Sequence, residues 1–88
     1  MQNFNDHLSS YITPDLGIAV YLFTLNHDLV KTTVISQRRL VFHFQRREDT
    51  DELVAKYLNG TGEAPAKKLF ENYRALRGVA FSQTNNLR

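Results

Sequence analysis

Residues 13–25 read TPDLGIAVYLFTL, and this stretch has the features of a helix that is buried on more than one side. Thr13 is a suitable N-cap, and Pro14 suits the first helical position. Asp15 places a negative charge at the positive end of the helix dipole. We therefore predict a helix over residues 14–25.

Apolar side chains cover two sides of this predicted helix. One side carries Leu16, Ala19, Val20 and Phe23, and the other carries Ile18, Tyr21, Leu22 and Leu25. A helix that is apolar nearly all round is usually buried on several sides, so we expect a sheet and either another helix or a second subunit to contact it. The residues that we select for self-association are Leu16, Val20, Leu22 and Phe23.

Two β-strands are predicted after this helix. Residues 29–36, LVKTTVIS, are rich in β-branched side chains, and residues 39–45, RLVFHFQ, alternate with Leu40, Phe42 and Phe44 on one face. The short link between them predicts an antiparallel hairpin. A two-stranded hairpin is marginal alone. We expect it to pack on helices, or to join a second copy in a four-stranded sheet across a homodimer.

Two more helices are predicted towards the C-terminus. The first begins at Asp49, which has the spacing of a capping box with Glu52, and it ends near Gly60. The second extends from about Pro65 to about Ala80. The predicted order is therefore α-β-β-α-α.

These elements make one α+β domain. We assign residues 13–81 to the domain, residues 1–12 to an N-terminal extension and residues 82–88 to a frayed C-terminal tail. A chain of 88 residues has room for a single core. Its 42% hydrophobic and 23% charged residues are typical of a globular protein rather than a disordered one.

Composition excludes several classes of protein. The chain has no cysteine, which excludes disulfide scaffolds, thiol catalysis and zinc sites built on thiolates. Its longest nearly apolar stretch, residues 16–25, is about half as long as a membrane-spanning helix. The N-terminus lacks the basic start and apolar run of a secretory signal. We expect a soluble, cytoplasmic protein with no membrane partner.

The residue types that carry chemistry lack a catalytic spacing. His7, His27 and His43 show no pairing that would favour metal ligation. The acidic residues within 48–52 are explained by the start of a helix. Serines lack a nucleophile elbow, and glycines form no phosphate-binding loop. We predict no catalytic residue, no metal, no cofactor and no small-molecule substrate, so that the protein is not an enzyme.

Charge is distributed in blocks along the chain. The formal net charge is +2, but residues 1–37 carry −2, residues 38–47 carry +4, residues 48–63 carry −4 and residues 64–88 carry +4. Such blocks indicate electrostatic complementarity within the fold or towards a partner.

Basic residues close to aromatic ones are the strongest functional signal. Arg39, His43 and Arg47 share the predicted outer face of the second strand, where they could contact phosphates together. The polar side of the third predicted helix carries Lys67, Lys68, Arg74 and Arg77. The candidates that we select for nucleic-acid contact are Arg38, Arg39, His43, Arg47, Lys67 and Arg74.

Four stretches of this chain, taken in order, resemble a known family. They read TPDLGIAVYLFTLNHDLV, RRLVFHFQ, DELVAKYLNG and AKKLFENYRALRGV. Together they are similar to a family of small bacterial and phage or mobile-element proteins that is catalogued as a domain of unknown function. The resemblance covers about three-quarters of the chain. It implies no catalytic residue and no cofactor, whereas a mobile-element setting implies contact with DNA or RNA.

Two functions follow as hypotheses. The leading one is a non-catalytic interaction module that self-associates as a homo-oligomer through its first helix or a hairpin edge. The alternative is a nucleic-acid-binding accessory protein of a phage or mobile element, which contacts phosphates through the basic hairpin and the third helix.

Overall fold

The computed structural model describes residues 9–85, which contain three strands and three helices. The strands are β1 (Ser10–Thr13), β2 (Leu29–Ser36) and β3 (Arg39–Gln45). The helices are α1 (Leu16–Thr24), α2 (Thr50–Asn59) and α3 (Ala66–Asn85). The α+β class is confirmed. The elements occur in the predicted order, α-β-β-α-α, with one additional strand before them.

The additional strand, β1, changes the sheet from two strands to three. The strand order is β1-β3-β2, and both pairs are antiparallel. In β1, Tyr11 pairs with Phe44 and Thr13 pairs with Phe42. Our assignment of residues 10–12 to an N-terminal extension was wrong at this point. Four residues are too few to show an alternating pattern, and the partner strand is distant in sequence.

This third strand also removes the argument for a four-stranded sheet across a dimer. We predicted that sheet because a two-stranded hairpin needs further strands or helices to be stable. Here β1 of the same chain pairs with one edge of β3, and β2 pairs with the other. The strand with the strongest apolar alternation is therefore central, and only β1 and β2 have free edges among the described residues.

The core lies between the sheet and two helices. Leu40, Phe42 and Phe44 of β3 are buried on the inner face, which confirms the predicted alternation. Helices α1 and α3 pack against each other and α1 also contacts α2 and β1, while α3 contacts β3 and β2. The buried residues of α1 are Ile18, Ala19, Val20, Tyr21, Leu22 and Thr24. The prediction that this helix is buried on more than one side is confirmed.

The start of α1 is capped by Asp15 rather than by Thr13. Oδ1 of Asp15 accepts a hydrogen bond from the backbone N–H of Ile18 at 2.9 Å. Oγ1 of Thr13 accepts from the backbone N–H of Asp15 at 3.0 Å. Because Thr13 belongs to β1, the chain stays extended through Pro14, and the helix starts two residues later than predicted.

The ends of α2 differ in how well they were predicted. Asp49 is the N-cap residue, but its side chain makes no capping hydrogen bond, so the predicted capping box with Glu52 does not form. At the other end Gly60 has φ +78°, a left-handed conformation that glycine adopts without strain. The predicted end of this helix is confirmed.

Helix α3 extends beyond its predicted end near Ala80. It continues through Asn85, so residues 82–85 are helical and not part of a frayed tail. A tertiary contact explains the difference, since the hydroxyl of Thr32 in β2 donates to Oε1 of Gln83 at 2.7 Å. The sheet thus stabilises a last turn that the local sequence does not indicate.

Candidate functional site

An open groove of about 750 Å³ lies where the β2–β3 turn, the start of α1 and the C-terminal half of α3 meet. Most of its floor is apolar. The apolar floor residues are Leu16, Leu40, Phe42, Ala80 and Phe81. Three arginines, Arg38, Arg74 and Arg77, also line it. We call this site the arginine groove.

Two distant parts of the chain bring the arginines together. Arg38 lies in the turn between β2 and β3, and Arg74 and Arg77 lie one turn apart on α3. Because α3 packs across β3 and β2, its basic side lies beside the turn of the hairpin. The site is therefore a product of helix–sheet packing.

The three guanidinium groups have no acidic partner within residues 9–85. All three side chains are exposed. The ion pairs in this part of the chain lie elsewhere and join Arg46 to Asp51, Lys56 to Glu52, and Lys67 to Glu71. Arginine stays charged in proteins and presents a planar set of donors that matches phosphate and carboxylate oxygens. In the part of the chain that the structure describes, the groove thus combines positive charge that no carboxylate pairs with and an apolar floor.

The structure brings together only two of the six residues that we selected for nucleic-acid contact. Arg38 and Arg74 both line the arginine groove. Arg39 is exposed and follows Arg38, but it does not line the groove. We predicted that Arg39, His43 and Arg47 act together on one outer face, but none of them lines the arginine groove.

His43 and Arg47 have other contacts. Nε2 of His43 lies 2.9 Å from Oγ1 of Thr33, and burial together with the neighbouring Lys31 lowers the pKa of His43. A lowered pKa disfavours the charged imidazole that a phosphate contact would use. Arg47 donates from Nη1 to the backbone oxygen of Asn26 at 2.9 Å, beyond the end of β3 that lies opposite Arg38.

Lys67 is also engaged elsewhere, because its Nζ lies 3.0 Å from Oε2 of Glu71. The groove instead contains Arg77 and Phe81, which our selection omitted. The sequence placed Arg77 on the polar side of the third helix. We missed Phe81 because we ended that helix near Ala80, although the spacing of 74, 77 and 81 is that of one side of a helix.

Two of the residues selected for self-association are core residues. Val20 is 3% exposed and Leu22 is 0% exposed within a single chain, so each has little or no surface to offer a second copy. That part of the selection was wrong because β1 and two helices of the same chain cover α1. Leu16 and Phe23 are partly buried and pack against the core.

A second, smaller groove of about 300 Å³ lies between α2 and α3 above Gly17 and Val20. Its walls are Tyr57, Leu69, Phe70 and Tyr73. Phe70 is 62% exposed and Tyr73 is 42% exposed. We call this site the aromatic groove. It is the part of the apolar side of α3 that the fold leaves uncovered.

The structure also tests where histidines and carboxylates lie. Within residues 9–85, no three histidine or acidic side chains come together as a metal site would require. His7 lies outside the described residues. Between residues 9 and 85, no helix has both the length and the apolar composition needed to cross a membrane.

Comparison with known proteins identifies the family. Residues 8–82 match a family described as Domain of unknown function (DUF5659), and this range includes β1 and all three arginines of the groove. No curated protein and no solved structure matches the chain. The chain therefore belongs to the DUF5659 family, in agreement with the predicted resemblance to a domain of unknown function.

Proposed function

We propose that this domain is a non-catalytic binding module that holds nucleic acid by its phosphates in the arginine groove. The observation that carries the proposal is the convergence of Arg38, Arg74 and Arg77 on one groove. Within residues 9–85 these groups have no carboxylate to neutralise them. Phosphate contacts of this kind supply most of the affinity of nucleic-acid-binding proteins.

The type of cation supports phosphate as the partner. All three cations that line the groove are arginines, whereas the lysines of the described residues lie elsewhere. Guanidinium binds two phosphate oxygens at once and also stacks on bases, neither of which an ammonium group does well. Arg39 adds a further exposed charge beside the turn. We place the module in the cytoplasm, because a chain without cysteine suits a reducing compartment.

Fluorescence anisotropy with labelled oligonucleotides tests this proposal. Binding should weaken steeply between about 50 and 200 mM salt, as counterion release requires. Replacing Arg38, Arg74 and Arg77 by Gln should abolish binding. A matched control removes the same number of positive charges away from the groove by replacing Lys31, Lys67 and Lys68 by Gln, and it should bind nearly as well as the wild-type protein.

Two results would contradict the proposal. If both triple variants lose affinity equally, the groove is not the site and only the overall charge matters. If an acidic peptide such as polyglutamate displaces the oligonucleotide at far lower concentration, carboxylate is the partner and the module binds protein. Circular dichroism of each variant shows whether it is folded before its binding is interpreted.

Self-association is a second proposal, now transferred from α1 to the aromatic groove. Phe70 is 62% exposed and lies at the rim of an apolar depression. A two-fold contact would place Phe70 of each copy in the depression of the other, because an isologous interface uses the same surface twice. Exposed apolar patches of this kind commonly mark protein contacts.

Light scattering over a range of micromolar concentrations tests this second proposal. The wild-type protein should approach the mass of a dimer, and Phe70→Ser should remain a monomer. Phe81→Ser is the matched control, because Phe81 is similarly exposed at 68% but lies in the other groove. A wild-type mass that stays monomeric rejects self-association.

A further inference from the structure

Building on the proposed function, we infer that the arginine groove is specific for single strands. In this arrangement an unstacked base lies on the apolar floor against Phe81, while Arg38, Arg74 and Arg77 hold the adjoining phosphates. The inference depends on the juxtaposition of an exposed aromatic ring with three guanidinium groups that have no acidic partner among residues 9–85.

The apolar floor of the groove favours a single strand, because a duplex would not use it. Bases of a duplex remain stacked inside, and a protein that binds only the backbone meets charged phosphates and sugars. A single strand can direct a base towards an apolar surface and still keep its phosphates near cations. A groove whose floor is largely Leu16, Ala80 and Phe81 fits the second kind of ligand.

The position of Phe81 also favours a single strand, since packing within the fold does not explain it. It is 68% exposed, whereas Leu76 on the same helix is 3% exposed and belongs to the core. Phe81 follows Arg77 by four residues, so the ring lies one helical turn beyond the guanidinium group. Proteins that bind single strands use this combination of an aromatic platform with neighbouring cations.

The dimensions of the groove also support this inference. Its volume of about 750 Å³ falls within the roughly 300–1,000 Å³ of sites that bind small organic molecules. Gly78 also lines the groove, and a Cβ atom at this position would meet no other atom within 4 Å. A larger side chain at this position would therefore meet no clash at its Cβ atom, and it would add bulk beside the groove without changing its charge.

Two variants test the inference without disturbing the core. Phe81→Ala removes the stacking ring, and Gly78→Leu adds bulk beside the groove. We would measure affinity for a single-stranded oligothymidylate of about 12 nucleotides, a length within the range of single-strand sites, and for a duplex of the same length. The wild-type protein should prefer the single strand by about fivefold to a hundredfold, the range that stacking of one base on an aromatic ring gives.

Both variants should lose more affinity for the single strand than for the duplex, so that most of this preference disappears. Phe81→Trp should retain the preference, and its fluorescence should be quenched when the single strand binds. A single-strand preference that is unchanged in Phe81→Ala and Gly78→Leu would overturn the inference. The proposed function would stand in that case, provided that the triple arginine variant still fails to bind. If no oligonucleotide binds the wild-type protein, the proposed nucleic-acid binding and the single-strand specificity fail together.

Discussion

Nε2 of His27 lies 2.9 Å from Oγ1 of Thr50, and these two buried side chains connect the end of α1 to the start of α2. The same hydroxyl oxygen accepts a hydrogen bond from the backbone N–H of Arg47 at 2.8 Å. Since the side chain of Asp49 does not cap α2, Thr50 is the residue whose side chain anchors the start of this helix. Buried polar groups need such partners, because leaving one unpaired costs more free energy than a hydrogen bond contributes.

The first prediction is a loss of stability in mild acid. Burial, and next the neighbouring guanidinium of Arg47, lower the pKa of His27 in the folded protein. The unfolded chain, with a histidine pKa of about 6.5, then binds more protons than the folded one as the pH falls. The contribution of neutral His27 to the free energy of unfolding is complete above about pH 6.5. It is lost as the pH falls through the folded-state pKa. Urea unfolding at a series of pH values should show this decrease.

Matched histidine variants assign this pH dependence. His27→Gln should be less stable at neutral pH and should have a flatter profile between neutrality and mild acid. His43→Gln should keep most of the wild-type slope, because His43 is only partly buried. A wild-type slope in His27→Gln would show that another group titrates.

The second prediction concerns the hydroxyl of Thr50. Thr50→Val keeps the shape of the side chain but leaves the N–H of Arg47 and the ring of His27 without a partner. We expect a decrease in the free energy of unfolding of about 1–3 kcal/mol, mainly from the unsatisfied buried ring nitrogen of His27, because the N–H of Arg47 is only partly buried. Thr50→Ser keeps the hydroxyl and should cost clearly less. Equal losses in the two variants, measured by urea unfolding, would mean that the methyl group matters and the hydrogen bonds do not.

The third prediction compares two helical glycines. A Cβ atom at Gly17 would clash with Oη of Tyr57, so Gly17→Ala must displace that ring from its contact with Tyr21. We expect a loss of about 1–3 kcal/mol, as for other overpacked sites. Gly78→Ala meets no atom and should stabilise α3 by up to about 1 kcal/mol. The midpoint temperature of thermal unfolding should therefore decrease for Gly17→Ala and increase for Gly78→Ala.

A double variant checks the physical reason for the Gly17 effect. In a Tyr57→Leu background the phenol is absent, and Gly17→Ala should cost much less than it does in the wild-type protein. If the cost is unchanged, the ring of Tyr57 is not the obstacle.

The fourth prediction separates unfolding from dissociation. Leu22 is fully buried within one chain. Leu22→Ala should lower the free energy of unfolding by about 2–5 kcal/mol through loss of apolar burial and formation of a cavity. Its mass at concentrations where it remains folded should equal that of the wild-type protein. A change of mass without a loss of stability would restore α1 as an interface.

The sequence by itself determined the elements whose signals are local. The alternation of Leu40, Phe42 and Phe44 defined β3 and its buried face, and the all-round apolar character of residues 16–25 defined a buried helix. Gly60 likewise defined the end of α2, because a left-handed residue is a local requirement. These features depend on neighbouring residues only, and for that reason they can be read along the chain.

Only the tertiary structure decided which distant segments meet. The pairing of β1 with β3 depends on a register that four residues do not encode, and the last turn of α3 depends on a contact from Thr32 to Gln83. The arginine groove has the same origin, since Arg38 from a turn and Arg77 from a helix share it only once α3 lies across the sheet. Such contacts arise from packing over long separations in sequence, and no periodic pattern records them.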